Sequence, residues 1–232
     1  MNRIIIPGPP GTGKTHRLME YLDKELKTTA PENILYLAFS NAAVRAAKDR
    51  APDSVRICTM HSLGSQELKI DTSKNLLKNE RWKGFKNFSR ICADLSFETY
   101  INESGHPQYK NSHMKIIEYA RNKKLSLQDS AVELELHFTT DLWLTEQIYQ
   151  DLIIYKDHTG MFEYSDMISK FVEEDKCPPL HAVFLDEAQD LSPLQWDMFF
   201  YIEKRAQRSY IAGDDDQTIY TFQGADPSIF IN

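Results

Sequence analysis

Eight residues near the start of the chain, Gly8-Pro9-Pro10-Gly11-Thr12-Gly13-Lys14-Thr15, limit the fold more than any other stretch. They fit the spacing GxxxxGK[ST], and their setting matters as much as their identity. An apolar run, Arg3–Ile6, stops at Pro7-Gly8. Leu18, Leu22 and Leu26 then recur at every fourth position, along one face of a helix. A glycine-rich turn between a strand and a helix lets successive backbone N–H groups curl around an anion, at the positive end of the helix dipole. Gly8, Pro9, Pro10, Gly11, Thr12, Gly13, Lys14, Thr15 and the adjoining His16 are therefore candidate ligands of a nucleotide phosphate chain. Lys14 supplies a point charge for the β- and γ-phosphates and Thr15 a hydroxyl for Mg2+. The bland alternative is a glycine turn with an unrelated lysine, and the flanking strand and helix argue against it.

Further short apolar runs alternate with helical patterns. Ile34–Phe39 and Val55–Thr59 read as strands, and Ala42–Arg50 as a helix capped by Ser40 or Asn41. Ala182–Leu185 reads as a strand ending in Asp186-Glu187. Ser192-Pro193 opens a helix through about Lys204, and Ser209–Ala212 is a last strand. The alternation predicts an α/β fold with a parallel sheet flanked by helices. From Lys69 to Gln150 the strand-like runs disappear and helical spacing dominates. The layout expected is an α/β domain split in sequence, residues 1–68 and 151–232, interrupted by a mostly helical insertion at 69–150. In the insertion Lys69, Lys74, Lys78, Arg81, Lys83, Lys86 and Arg90 face only Asp71 and Glu80. Trp82, Phe85 and Phe88, interleaved among them, read as insertion core sooner than as platforms for bases.

The carboxylates at the end of 183–187 give the loop a chemical counterpart. In a parallel sheet the C-terminal strand ends line the ligand crevice. Asp186 would hold the Mg2+ shell, and Glu187 would accept a proton from an attacking water. A second carboxylate beside the metal ligand favours hydrolysis over simple binding; alone, the pair would read as a solvated turn.

Charge bounds the partners. With 27 basic and 34 acidic residues the net charge is −7, which excludes a wholly basic nucleic-acid binder but allows a local basic face. The basic residues gather in 69–124 and much of the acid in 161–175. The three cysteines show no CxxC pair, arguing against a zinc site or a disulfide scaffold and for a reducing compartment. No apolar run approaches the roughly 20 residues of a membrane span, and the three-residue run at the start is too short for a signal peptide. A cytoplasmic protein with no membrane partner is expected.

Two segments, Leu185–Trp196 (LDEAQDLSPLQW) and Ile211–Ala225 (IAGDDDQTIYTFQGA), together with the phosphate loop, resemble the UvrD/Rep-like superfamily 1 DNA helicases. The first resembles that family's motif II, of DExQD type, and the second its motif III. Leu37–Ala47 is similar to motif Ia, Cys58–Gly64 to motif Ib, and Phe162–Met167 to the short segment before motif II. The match is good over 1–68 and about 155–232. The resemblance implies a RecA-like motor domain that uses ATP and Mg2+. It implies that Gln189 and Gln217 lie near the γ-phosphate, Gln217 reporting its presence to the DNA site. It implies that Phe39, Asn41, His61 and Ser62 line a single-stranded DNA path, with Tyr220 and Phe222 stacking near bases. Aromatic faces accept any base, at about 1–3 kcal/mol each.

The chain departs from the family in three places. Ala42 stands where motif Ia commonly has lysine, and Phe222-Gln223 where motif III commonly has Trp-Arg, so two phosphate-facing cations are missing. Only seven residues precede Gly8, giving adenine specificity no support. In the family a second RecA-like lobe follows the position of Asn232 and brings arginines that stabilise the transferring phosphoryl group. The expected function is thus the N-terminal motor half of a DNA helicase, completed by a second lobe in cis or in trans. The alternative is a nucleotide-dependent module that binds a single strand or a partner with little hydrolysis. Motif III and the DExQD run argue against a small-molecule kinase.

Overall fold

A computed structural model of the chain describes residues 2–9, 11–101 and 107–214. In chain order the strands are β1 (Asn2–Pro7), β2 (Ile34–Ala38), β3 (Arg56–Cys58), β4 (Thr99–Ile101), β5 (Pro107–Tyr109), β6 (Ala182–Asp186) and β7 (Arg208–Gly213). The helices are α1 (Lys14–Glu25), α2 (Asn41–Lys48), α3 (Met60–Glu67), α4 (Thr72–Asn75), α5 (Trp82–Phe88), α6 (Ser112–Lys123), α7 (Leu127–Glu133), α8 (Leu142–Thr159), α9 (Tyr164–Glu173) and α10 (Pro193–Glu203).

Five strands make one parallel sheet in the order β1-β7-β6-β2-β3. β2 and β6 are buried at every position, so their sequences read as unbroken apolar runs rather than alternating ones. Successive residues serve opposite faces. Ile34, Tyr36, Phe184 and Tyr210 pack with Leu18 and Leu22 of α1. Leu35, Leu37, Val183, Leu185 and Ile211 pack with Leu63 of α3, Phe171 of α9 and Trp196 of α10. Because every strand is parallel, all five C-terminal ends lie along one edge of the sheet, as the crevice expected from the sequence requires.

Helix starts follow their caps. The Ser40 hydroxyl, not Asn41, caps α2 by accepting from the Ala43 N–H at 3.2 Å. Ser192 and Gln195 form a reciprocal capping box ahead of α10, with Pro193 in its first turn.

The contacts divide the chain into two units, Met1–Lys69 with Met167–Asn232, and Ile70–Asp166. The return to the α/β unit expected at residue 151 is corrected by α8, which runs unbroken through that position. The second unit is mostly helical but also holds β4 and β5, an antiparallel pair not foreseen in the sequence. The helical spacing of 73–92 is broken into short pieces because Leu76 is extended and bridges to Phe162, whose carbonyl accepts from the Leu77 N–H at 2.8 Å. Trp82 and Phe85 are core here, Trp82 stacking on Phe97 at 4.8 Å, whereas Phe88 is 44% exposed. Within the same unit Arg121 and Lys156 form ion pairs with both Glu163 and Asp166.

Gly64 of α3 lies against the Met167 backbone of α9. A Cβ built there would stand 2.6 Å from the Met167 carbonyl oxygen, a backbone atom that cannot swing aside. Gly64→Ala is expected to destabilise the chain by about 1–3 kcal/mol, read as a lower urea midpoint. An unchanged midpoint would mean that α3 and α9 separate there at no cost.

Candidate nucleotide site

The loop after β1 is tied back at both ends. The Gly8 N–H donates to the Gly213 carbonyl at the end of β7 (3.2 Å). Gly13 caps α1 with φ +83°, a left-handed conformation that glycine takes without strain. The Lys14 ammonium is buried and donates to the carbonyls of Gly8 (2.5 Å) and Pro9 (3.2 Å), and the Thr12 hydroxyl also donates to Pro9 (2.7 Å). A cation held over the mouth of a phosphate loop by two neutral carbonyls can exchange them for anionic oxygens, a stronger partner.

Asp186 closes β6 and is 4% exposed. Its Oδ2 accepts from the Thr15 hydroxyl and the Tyr36 hydroxyl, each at 3.0 Å, and its Oδ1 from the Glu187 N–H at 3.1 Å. Burial, and after it the charge of Glu187, push Asp186 above the usual carboxylate range, while the two hydroxyls pull it back. The hydroxyl and the carboxylate form an all-oxygen donor pair suited to Mg2+. Ligands at about 2.0–2.1 Å in an octahedron stand about 2.9 Å apart along an edge, close to the 3.0 Å between Thr15 and Asp186. Mg2+ held by such a pair would take its remaining ligands from water and phosphate.

Glu187 follows in a left-handed conformation, φ +56° and ψ +46°, uncommon for a side-chain-bearing residue. Its carboxylate accepts from Gln189 Nε2 at 2.7 Å. The Oε1 of the same glutamine accepts from the Asp214 N–H at 2.9 Å. These two partners fix the amide's orientation, one taking a donor and the other an acceptor. Gln189 thereby links the acidic end of β6 to the end of β7.

Lys14, Thr15, Asp186, Glu187 and Gln189 are thus brought to one stretch of the sheet edge. His16 is not: its side chain is 78% exposed, with Nε2 3.7 Å from Glu20 on the open side of α1. Pro10, Gln217, Tyr220 and Phe222 lie outside the described residues. The expected DNA residues follow the C-terminal ends of β2 and β3. Phe39 is half-buried against the core, Asn41 is exposed in the first turn of α2, and His61 and Ser62 begin α3 half-buried. Ser62 donates its N–H to Thr59 Oγ1 and accepts from Gln66 Nε2. Tyr36 was missed in the sequence; its signal is a polar tip within the buried run ILYLAF, which requires a partner inside.

The fold and the loop define a RecA-like P-loop α/β domain. Residues 1–232 match the UvrD/REP helicase N-terminal domain, and the chain belongs to that family. It is 29% identical over 248 residues to F-box DNA helicase protein 1 of Schizosaccharomyces pombe, covering 95% of this chain and 26% of that protein. It is 22% identical to the ATP-dependent DNA helicase PcrA of Leuconostoc citreum, over 99% of this chain and 33% of that protein. It is also 22% identical to the PcrA of Staphylococcus aureus, over 96% and 32%. The chain therefore spans about a quarter to a third of these relatives. Among the described residues no helix is long and apolar enough to cross a membrane.

The last carboxylate of the DExQD run carries a testable charge. Burial, then Glu187 and Asp214, push Asp190 up to about 7. The native state then holds this proton more tightly than the unfolded chain, whose aspartates titrate near 4. Stability is lost as pH rises from about 4 to 7, and the full penalty remains above 7. Asp190→Asn is expected to raise the thermal midpoint at pH 8, and to raise it less at pH 5. An equal gain at both values would show that Asp190 does not titrate in this range.

Proposed function

We propose that this chain is the first motor lobe of an ATP-dependent helicase that moves on single-stranded DNA. The observation that carries the proposal is the meeting of the Thr15 hydroxyl and the buried Asp186 carboxylate at 3.0 Å, with Glu187 beside them. Gly8–Thr15 would wrap the phosphates of ATP, Lys14 leaving its two carbonyls for the β- and γ-oxygens. Thr15 and Asp186, the latter directly or through a water, would hold Mg2+, which neutralises charge on the phosphates when bound. Glu187 would orient a water and take its proton. A residue already held by Gln189 has less freedom to lose on reaching that geometry.

Gln189 also suggests how turnover could be sensed. A change at Glu187 that alters the Gln189 hydrogen bond would be felt at the Asp214 N–H, where the chain enters the stretch carrying Gln217, Tyr220 and Phe222. A single strand would cross the neighbouring strand ends, over Phe39, Asn41, His61 and Ser62. A second RecA-like lobe, in cis or in trans, would supply the arginines for the transferring phosphoryl group.

Two substitutions separate binding from chemistry. Lys14→Ala is expected to abolish Mg·ATP binding measured by calorimetry. Glu187→Gln is expected to leave that affinity within about twofold and to lower DNA-stimulated ATP turnover by roughly 10²–10⁴-fold. Normal turnover by Glu187→Gln would remove this residue as the base. Nucleotide binding by the wild-type protein with no turnover on oligo-dT, even with its second lobe supplied, would favour the strand-binding module instead.

A further inference from the structure

Asp186 takes one of its hydrogen bonds from a residue outside the motifs. The phenol of Tyr36, fully buried on β2, reaches Asp186 Oδ2 at 3.0 Å. The register explains the reach. Asp186 lies opposite Ala38, and Tyr36 lies opposite Phe184, two residues back on the same face. The small Ala38 side chain leaves the diagonal open, and a tyrosine is long enough to span it. The ring is held from behind. Tyr36 stacks on Phe184 with centroids 6.0 Å apart and planes at 11°, and Phe184 stacks on Tyr210 at 4.5 Å and 9°. Stacking on one side and a buried hydrogen bond at the tip leave the phenol little freedom to turn.

We infer that Tyr36 is a positioning residue for the metal shell: its hydroxyl holds the Asp186 carboxylate in the orientation that meets Thr15. The inference rests on the proposed reading of this site as one for Mg2+ and nucleotide. The oxygen that accepts from Tyr36 is the same one that accepts from Thr15, so its direction decides how both face a cation. Without the phenol O–H, Oδ2 loses one of two donors and the carboxylate can rotate about its last bond. Partners of this kind, one step removed from a metal, typically change its affinity by 10–100-fold.

Tyr36→Phe removes only the hydroxyl and keeps the ring stack. The measurement is binding of a fluorescent ADP analogue to the full chain, titrated with Mg2+ and repeated in excess EDTA, beside a thermal melt. The half-saturating Mg2+ concentration is expected to rise about tenfold, with affinity in EDTA unchanged. Tyr210→Phe serves as the control. It deletes the hydroxyl at the far side of the stack, which donates to Glu25 and does not touch Asp186. Its Mg2+ titration is expected to match wild type.

An identical titration for Tyr36→Phe and wild type would overturn the inference. So would an equal shift in both variants, or a Tyr36→Phe loss of the same size in EDTA, since either marks a general loss of structure. Failure of the underlying reading looks different: the wild-type protein would then bind no nucleotide, or bind it with no dependence on Mg2+, and the inference would fall with it.

Discussion

A carboxylate closing a strand that is buried on both faces must find donors inside the protein, and Asp186 finds three. One comes from the start of α1, one from the neighbouring strand β2, and one from the next residue of its own chain. An unsatisfied buried acceptor costs about 1–3 kcal/mol, so each donor is held in place by the penalty of leaving. The position of α1 relative to the sheet is therefore set by chemistry as well as packing. Leu18 and Leu22 bury one face of the helix, and the Thr15–Asp186 bond fixes its first turn. The loop that leads into α1 inherits that position at its C-terminal end.

The parallel order spreads the remaining candidate residues along one edge without mixing them. The phosphate loop leaves β1, Asp214 follows β7, the acidic pair ends β6, and the candidate strand-binding residues follow β2 and β3. β6 stands in the middle of the sheet, so the acidic pair lies between the two groups. Gln189 then connects the acidic pair to the β7 side through one amide with both ends occupied. A link of one side chain joins the two strand ends directly. It is also specific enough that glutamate in its place would lose the donor half.

What could be read from residues alone follows from the range of the forces involved. A glycine-rich turn between a strand and a helix is a local property, so Gly8–Thr15 announces the passage from β1 to α1. Strands buried on both faces announce themselves as unbroken apolar runs, and Ser40 and Ser192 announce helix starts. The insertion was less legible because its breaks are made from far away. Leu76 leaves the helix to pair with Phe162, 86 positions on, and the Ser89 hydroxyl turns to Asp151, 62 positions on. The boundary near 150 misled because α8 carries helical spacing straight through it. Tyr36 stayed hidden for the same reason: its partner is 150 positions away, and only the register of β2 on β6 brings them together.

The stack of Tyr36, Phe184 and Tyr210 also explains why α1 is held at both ends. The three rings come from three adjacent strands in direct register. The two outer ones carry hydroxyls that leave in different directions. The Tyr36 hydroxyl meets Asp186, which holds Thr15 at the start of α1; the Tyr210 hydroxyl meets Glu25 in its last turn at 2.5 Å. Glu25 is almost fully buried and also takes Arg208 at 2.7 Å, so the far end of the helix is fixed by charge. Aliphatic side chains on this face would pack as densely but would offer neither carboxylate a donor. Aromatic rings with polar tips bury a large apolar area and still give one donor each to Asp186 beside the start of α1 and to Glu25 Oε1 in its last turn. A helix held at both ends in this way resists sliding along the sheet.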